Sequence, residues 1–236
     1  MSGSGHRLRI EPEVQRRFPS YAAFVIYAHG VENGPSDAFS VGRLREAERA
    51  QRGAFAGRAP SRHPHLAAWR EAYRAFGMKP SRFLNSAEAL LARVLRGEDL
   101  PAINRLVDLY NAVSMKHALP VGGEDLDRVA SDPTLCFARG GEPFDTVKSG
   151  EPVVESVSAG EVVWLDRQGV TCRGWNWRQG VRTRLTDATR NAYFVLDRLE
   201  PCPLDELRAA GEELAALVLQ SSPACRMETA VLGPLA

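Results

Sequence analysis

The sequence has few cysteines and no long apolar run, and it lacks the short motifs that mark most hydrolases and nucleotide-binding enzymes. Four cysteines in 236 residues (Cys136, Cys172, Cys202, Cys225) stand far apart and form no Cys-x-x-Cys pair. That spacing supports neither a disulfide framework nor a zinc site; isolated reduced thiols, some of them buried as small hydrophobes, are expected instead. No stretch approaches the roughly 18 consecutive apolar residues that a membrane helix needs. The start, Met1-Ser2-Gly3-Ser4-Gly5-His6-Arg7, is polar, and no apolar signal core follows it. A cytoplasmic location without a membrane partner is expected. There is no P-loop, no Gly-x-Gly-x-x-Gly, no His-Glu-x-x-His and no Gly-x-Ser-x-Gly. His63-Pro64-His65 is a weak metal pair: two histidines without further ligands rarely suffice, and a loop before a helix is the better reading. His29 and His117 stand alone and read as structural.

What is present is ordinary for a globular chain: 44% of residues are hydrophobic and 25% charged, enough for one large domain or two small ones. Net charge is only +1, but it is unevenly spread. Residues 1–82 hold 14 Lys and Arg against 7 Asp and Glu, whereas residues 83–236 hold 16 against 22. A basic end attracts polyanions in a salt-dependent way. Solvated helix faces in an Arg-rich, Lys-poor chain would give the same pattern.

Apolar periodicity organises the chain into an early helical part and a later strand-rich part. Ala22–Ala28 reads as a buried strand, and Asp37–Arg52 has helix composition. In His65–Phe76, Leu66, Trp69, Tyr73 and Phe76 share one helical stripe, stopped by Gly77. Asn85-Ser86-Ala87-Glu88 resembles a capping box that opens a helix, and Pro101 is a good first position for the next, with Ile103, Leu106, Val107 and Tyr110 inward. After Leu119, strands are expected at Leu135–Ala138, Val153–Val157, Val162–Asp166, Val170–Trp177 and Ala192–Leu196, with Asp166–Gly169 as a hairpin connection. Asp205–Leu219 reads as a final helix and the tail beyond Ser221 as irregular. The fold class is α+β, helices packed on a mixed or largely antiparallel sheet, rather than repeated βαβ units.

Two stretches carry more polar and aromatic detail than folding requires. In the first, Asn104–Ser114 followed by Leu119–Asp127, helical spacing sets Asp108 and Asn111 on adjacent turns. Gly122 and Gly123 would let backbone N–H groups approach a ligand, with Glu124 and Asp125 beside them; a helix end followed by a Gly-Gly turn explains them equally well. In the second, Cys172–Gly180, strand alternation sets Arg173, Trp175, Trp177 and Gln179 on one face, and Cys172, Gly174, Asn176 and Arg178 on the other. Such a face can stack a base while arginine holds phosphate, or it can be core packing with arginines lying over it.

These stretches resemble a known family. Leu106-Val107-Asp108-Leu109-Tyr110-Asn111 is similar to the Val-Val-Asp-x-Thr-Asn segment of the editing (B-three/B-four) domain of the phenylalanyl-tRNA synthetase β chain. There it precedes a Gly-x-Pro-Leu-His-Ala-Phe-Asp turn, similar in place to Leu119–Asp125. Gly160–Asp166 and Leu185–Asn191 resemble the same domain in order and spacing. The likeness is nearest to its freestanding relatives, which carry a run like Leu106–Asp127, then Trp-Asn-Trp-Arg-Gln as at Trp175–Gln179, then Arg-Thr as at Arg182–Thr183. It is strongest over residues 79–200 and implies a single editing-type domain over 1–236.

The resemblance implies hydrolysis of the ester that joins an amino acid to the terminal adenosine of tRNA, without metal or nucleotide cofactor. The partner is the 3′ aminoacyl end of tRNA, with an aminoacyl-tRNA synthetase as a second candidate. On this reading Asn111, Gly122 and Gly123 carry catalysis by orienting a water and the carbonyl. Arg105, Asp108, Tyr110, Ser114, Glu124, Asp125, Arg173, Trp175, Asn176, Trp177, Arg178, Gln179 and Arg182 bind substrate. The family histidine is replaced here by Gly122, and the acidic residue that helps recognise a tyrosine hydroxyl falls near Arg182 or Arg184. The substrate is therefore expected to differ from tyrosine; Glu124 and Asp125 suit an arginine-like non-protein amino acid such as canavanine, which some freestanding members handle. A non-catalytic module that binds tRNA or a synthetase, and a small-molecule hydrolase acting without RNA, are the rivals.

Overall fold

Seven of the eight residues of the strand Ala22–His29 are buried, and the molecule is layered about it. The computed structural model describes residues 5–234. The polar start Met1–Ser4, and both ends of the single-domain span 1–236, lie outside the described residues.

In chain order the elements are β1 (Arg9–Ile10), α1 (Pro12–Arg17), β2 (Ala22–His29), α2 (Ala38–Phe55), α3 (Pro64–Ala75), α4 (Ser86–Leu95), α5 (Arg105–His117) and β3 (Val121–Asp125). Then follow β4 (Thr134–Phe137), β5 (Pro143–Lys148), β6 (Glu151–Ser156), β7 (Val162–Asp166), β8 (Gly169–Arg173), β9 (Arg178–Gln179), β10 (Asn191–Arg198), α6 (Leu204–Ser221) and β11 (Arg226–Leu232). The first sheet runs β11-β2-β10-β3, antiparallel throughout; the second runs β1-β4-β7-β8-β9, with only β1 and β4 parallel; β5 and β6 form a separate hairpin. The fold is α+β with mixed, largely antiparallel sheets.

Strand alternation gives the first sheet two apolar faces. Phe24, Ile26, Phe194 and Leu196 face α5 and α6, meeting Leu109, Val113, Leu207 and Leu214. Val25, Tyr27, Tyr193 and Val195 face the opposite way, where Trp69 and Tyr73 of α3 and Leu135, Val162 and Trp164 of the second sheet close over them. An outer layer of α2 and α4 packs on α5 through Leu44, Leu91, Val94 and Ala112. Among the described residues no helix is long and apolar enough to cross a membrane.

Several boundaries differ from the sequence expectation, each for a local reason. The helix expected from Pro101 begins at Arg105, because the Asn104 side chain accepts from Val107 N and caps it there. Asp108 then holds the preceding segment by accepting from Ile103 N, leaving Ile103 largely exposed. Only half of the capping box at Asn85 forms: Asn85 accepts from Glu88 N, while Glu88 pairs with Arg70 instead of turning back. Within Leu119–Asp125, expected as a turn, Val121–Asp125 is strand β3, held in register against β10. The tail beyond Ser221 is not irregular, since β11 lies along the full edge of β2. Val170–Trp177 does not run as one strand; β8 stops at Arg173 and the chain turns through Gly174 and Trp175, both at positive φ.

Helix α6 lies close enough on β2 that a Cβ at Gly211 would fall 2.3 Å from Phe24 Cδ1. Gly53 in α2 has nothing within 4 Å of that position. Helix propensity favours alanine by about 1 kcal/mol at both places, but overpacking a filled core costs about 1–3 kcal/mol. Gly53→Ala is therefore expected to raise the unfolding free energy and Gly211→Ala to lower it, as read by urea denaturation.

Candidate functional site

A cavity of about 290 Å³ opens where the second sheet and α4 meet the edge of the first sheet. Its walls include Ser86 and Leu90 of α4, Tyr110 and Asn111 of α5, Gly122–Glu124 of β3, Trp164 and Cys172 of the second sheet, and Tyr193, Val195 and Asp197 of β10. The turn Trp175–Gln179 closes one side. The volume is at the small end of ligand pockets.

The edge strand β3 supplies its most chemically specific wall. Opposite β10, Gly122 pairs with Val195, Gly123 with Phe194 and Glu124 with Tyr193. Antiparallel pairing turns alternate residues' backbone groups outward from an edge. Two bonds give the phase: Gln179 Nε2 donates to Gly123 O at 2.7 Å, and Asp125 N donates to Thr183 O at 2.7 Å. Gly123 N–H therefore points outward from the sheet as well, on the edge where Glu124 bridges to Arg184, while the amide of Gly122 belongs to the ladder. The side-chain directions are the reverse. A Cβ at Gly123 would strike Phe194 at 2.9 Å, whereas at Gly122 the nearest atom is Val195 Cγ1 at 4.0 Å. Glycine is required at 123 by packing; at 122 it leaves the cavity floor open.

Asn111 lies at the opposite wall, and within the described residues its amide makes no hydrogen bond. Glu124 is buried at 4% exposure. Burial pushes its carboxyl up to about 7, against the easing influence of the Tyr193, Thr183 and Thr171 hydroxyls and Arg182. Those hydroxyls stand near it, yet none makes a well-formed hydrogen bond to Oε2, and that oxygen is left free.

Asp197 is the second buried acid, pushed up to about 6 by burial. Its oxygens are taken: Tyr21 Oη donates to Oδ1 at 2.8 Å and Asn176 Nδ2 to Oδ2 at 3.1 Å. Tyr73 Oη donates to Asn176 Oδ1 at 2.9 Å. Trp175 is fully buried, with its ring 4.7 Å from Tyr21, 4.9 Å from Phe18 and 5.1 Å from Trp69. This packing holds a bulky residue at φ +66°, a conformation that costs roughly 1–3 kcal/mol.

Of the residues expected to act together, the structure gathers Tyr110, Asn111, Gly122, Gly123, Glu124, Trp175, Asn176, Trp177, Arg178 and Gln179 around one cavity. It does not gather the others. Asp108 is fully buried and accepts from Ser40 Oγ; Ser114 donates to Leu119 O; Asp125 accepts from Thr189 Oγ1 and Asp127 N. Arg105 pairs with Asp37, Arg173 with Glu155 and Glu161, and Arg182 with both oxygens of Asp166. The two tryptophans do not share a strand face: Trp175 is core, and Trp177 packs edge-on against Phe83 at 4.6 Å. Sequence reasoning missed Ser86, Cys172, Tyr193 and Asp197 as lining residues. The signal available for Asp197 was an acid in phase with Tyr193 and Val195 at the end of an apolar strand.

The family model described as the B3/4 domain matches residues 68–220, a span that contains every lining residue of the cavity. The chain belongs to the B3/4 domain family. A crystal structure of an N-terminal fragment of the phenylalanyl-tRNA synthetase β-subunit from Pyrococcus horikoshii is similar over 100% of this chain and 56% of that one, with a TM-score of 0.51 and 10% sequence identity. This chain thus spans about half the length of that fragment, and the likeness is one of fold. No curated protein matches it. The B3/4 match leaves out β2, which residues before the matched span contribute to the middle of the first sheet.

The acid Glu124 yields a prediction. Because the folded protein keeps this proton to about pH 7, above the ordinary carboxyl value of 4.5, folding takes up a proton between those values. The stability that this carboxyl contributes is then fully present below pH 4.5 and is lost as pH rises towards 7. The full difference is on the order of 3 kcal/mol. Glu124→Gln removes the titration, so thermal midpoints at pH 5 and pH 8 should lie closer together in the variant than in the wild type. An unchanged difference would show that Glu124 titrates normally.

Proposed function

We propose that this B3/4 protein is a trans-editing aminoacyl-tRNA deacylase that hydrolyses the ester of a mischarged tRNA. The observation that carries the reading is the convergence on one small cavity of a free carboxamide, an outward backbone N–H and a buried carboxyl with a free oxygen, at Asn111, Gly123 and Glu124. The family and the likeness to a phenylalanyl-tRNA synthetase fragment support it. The volume suits an aminoacyl group whose adenosine stays outside. The excess of arginine in residues 1–82 offers attraction to the phosphates.

An activated ester needs little beyond a positioned water and a stabilised oxyanion. The Asn111 amide and Gly123 N–H are the donors for the carbonyl oxygen as it gains charge. Glu124 accepts the proton of the attacking water; its value of about 7 matches work near neutral pH. The bond from water to the carbonyl carbon forms, the bond to the ribose oxygen breaks, and the proton passes to that oxygen, assisted by the neighbouring hydroxyl. Free amino acid and uncharged tRNA leave. Asp197 is the positioning acid rather than the base, since both its oxygens are occupied.

Asp197, the second carboxyl in the cavity wall, favours a cationic, arginine-like amino acid, because an ammonium or guanidinium close to it would stabilise a buried negative charge while Glu124 stays with the water. Gly122 gives such a side chain room.

Two substitutions test the reading. Asn111→Ala should lower the rate of deacylation about a hundredfold without changing the thermal midpoint; an unchanged rate removes Asn111 from the mechanism. Gly122→Val should fill the cavity floor, leave the fold intact and block turnover of large side chains, measured as release of labelled amino acid.

A further inference from the structure

Away from the cavity, the starts of α3 and α6 bring together a second group of chemically active side chains. His65 stands in the first turn of α3, Glu206 in the first turn of α6, and Cys202 two residues before α6. One ligand atom from each, an imidazole nitrogen, the thiol sulfur and a carboxylate oxygen, lies within 4.8 Å of the other two. His65 and Cys202 are buried. None of the three lines the cavity that holds Asn111.

The ring of His65 is oriented from behind. Its Nδ1 lies 3.3 Å from the backbone oxygen of His117, at the end of α5. A carbonyl only accepts, so Nδ1 carries the proton and donates. Nε2 is then turned towards the Glu206 carboxylate, 3.6 Å away. In the neutral ring that is a lone pair facing an acceptor, an arrangement that a bound cation, or a proton on Nε2, would satisfy. His63 packs edge-on against His65, with ring centroids 4.7 Å apart, and its Nδ1 is buried without a hydrogen-bond partner.

We propose that His65, Cys202 and Glu206 bind a zinc-class divalent cation, with a fourth position open beside His63. A thiolate, an imidazole and a carboxylate are the donor types that zinc takes, with bonds of about 2.0–2.3 Å. Donors around such an ion stand under about 4 Å apart, so a small contraction closes the group. The His117 carbonyl serves as the outer partner that fixes the tautomer of a metal-bound histidine. On binding, the Cys202 S–H bond breaks and its proton leaves to solvent while the sulfur–metal bond forms; nothing is oxidised or reduced. The ion joins the start of α3 to the start of α6, and through His117 to the end of α5. His63-Pro64-His65, a weak pair in the sequence, gains its further ligands from a segment more than 130 residues away.

The test uses the full chain, stripped with chelator and dialysed. Cobalt chloride should give a thiolate-to-metal charge-transfer band that saturates at one equivalent, and zinc chloride should displace it and raise the thermal midpoint. Cys202→Ser should abolish the band, Glu206→Gln should weaken cobalt binding about tenfold or more, and Cys225→Ser should change neither. The proposal is overturned if the folded wild-type protein gives no band, if the band survives Cys202→Ser, or if zinc leaves the midpoint unmoved. In that event the imidazole and Glu206 form a plain ion pair. Should Cys202→Ser fail to fold, the wild-type titration and Glu206→Gln decide the matter.

Discussion

Asn176 ties four parts of the molecule together at one point. Its amide nitrogen donates to Asp197 on β10, its amide oxygen accepts from Tyr73 on α3, and its backbone oxygen accepts from Ser86 N at the start of α4. The fourth part is its own turn between β8 and β9, where Trp175 is locked into a left-handed conformation by the surrounding aromatic rings. A buried network of this kind is stable only when each member is satisfied, so the turn has one arrangement. The cavity wall from Trp175 to Gln179 inherits that rigidity, and the Gln179 side chain in turn fixes the edge of β3 through Gly123 O. The position of Glu124 follows from that edge.

The long periodic elements were legible in the sequence: β2, β10 and the helices α2 to α6 all stand within a few residues of their expected places. What was illegible depended on partners distant in the chain. Residues Val121–Asp125 read as a glycine turn because two adjacent glycines have no strand propensity; pairing with β10 makes the strand. β11 has an alternating pattern of modest hydrophobicity, and only the free edge of β2 gives it something to join. The Trp-Asn-Trp run kept a strand-like alternation on paper, but Gly174 and the aromatic box turn it.

The candidate site was legible in part for the same reason. Asn111, the two glycines and Glu124 stood out by spacing and composition and then by family resemblance, and all four line the one cavity. The charged residues expected to hold substrate are mostly spent on the frame: Arg173, Arg182 and Arg105 each face a carboxylate, and Asp108 and Asp125 each accept from a buried hydroxyl. Sequence spacing says that a charged residue is near a site; it cannot say that a partner elsewhere in the chain, as Asp37 is for Arg105, has already claimed it. Gly122 gains meaning only with the structure, where the missing side chain becomes open floor in front of Val195.

A cavity that breaks an aminoacyl ester on tRNA would release the amino acid as well as bind the tRNA. The most direct measurement incubates the wild-type protein with a panel of mischarged tRNAs, including ones that carry arginine analogues, and follows both tRNA binding and release of labelled amino acid. Catalytic release is expected from at least one member of the panel, strongest for a cationic amino acid. Binding across the panel without release from any member would contradict it and identify a non-catalytic tRNA-binding module.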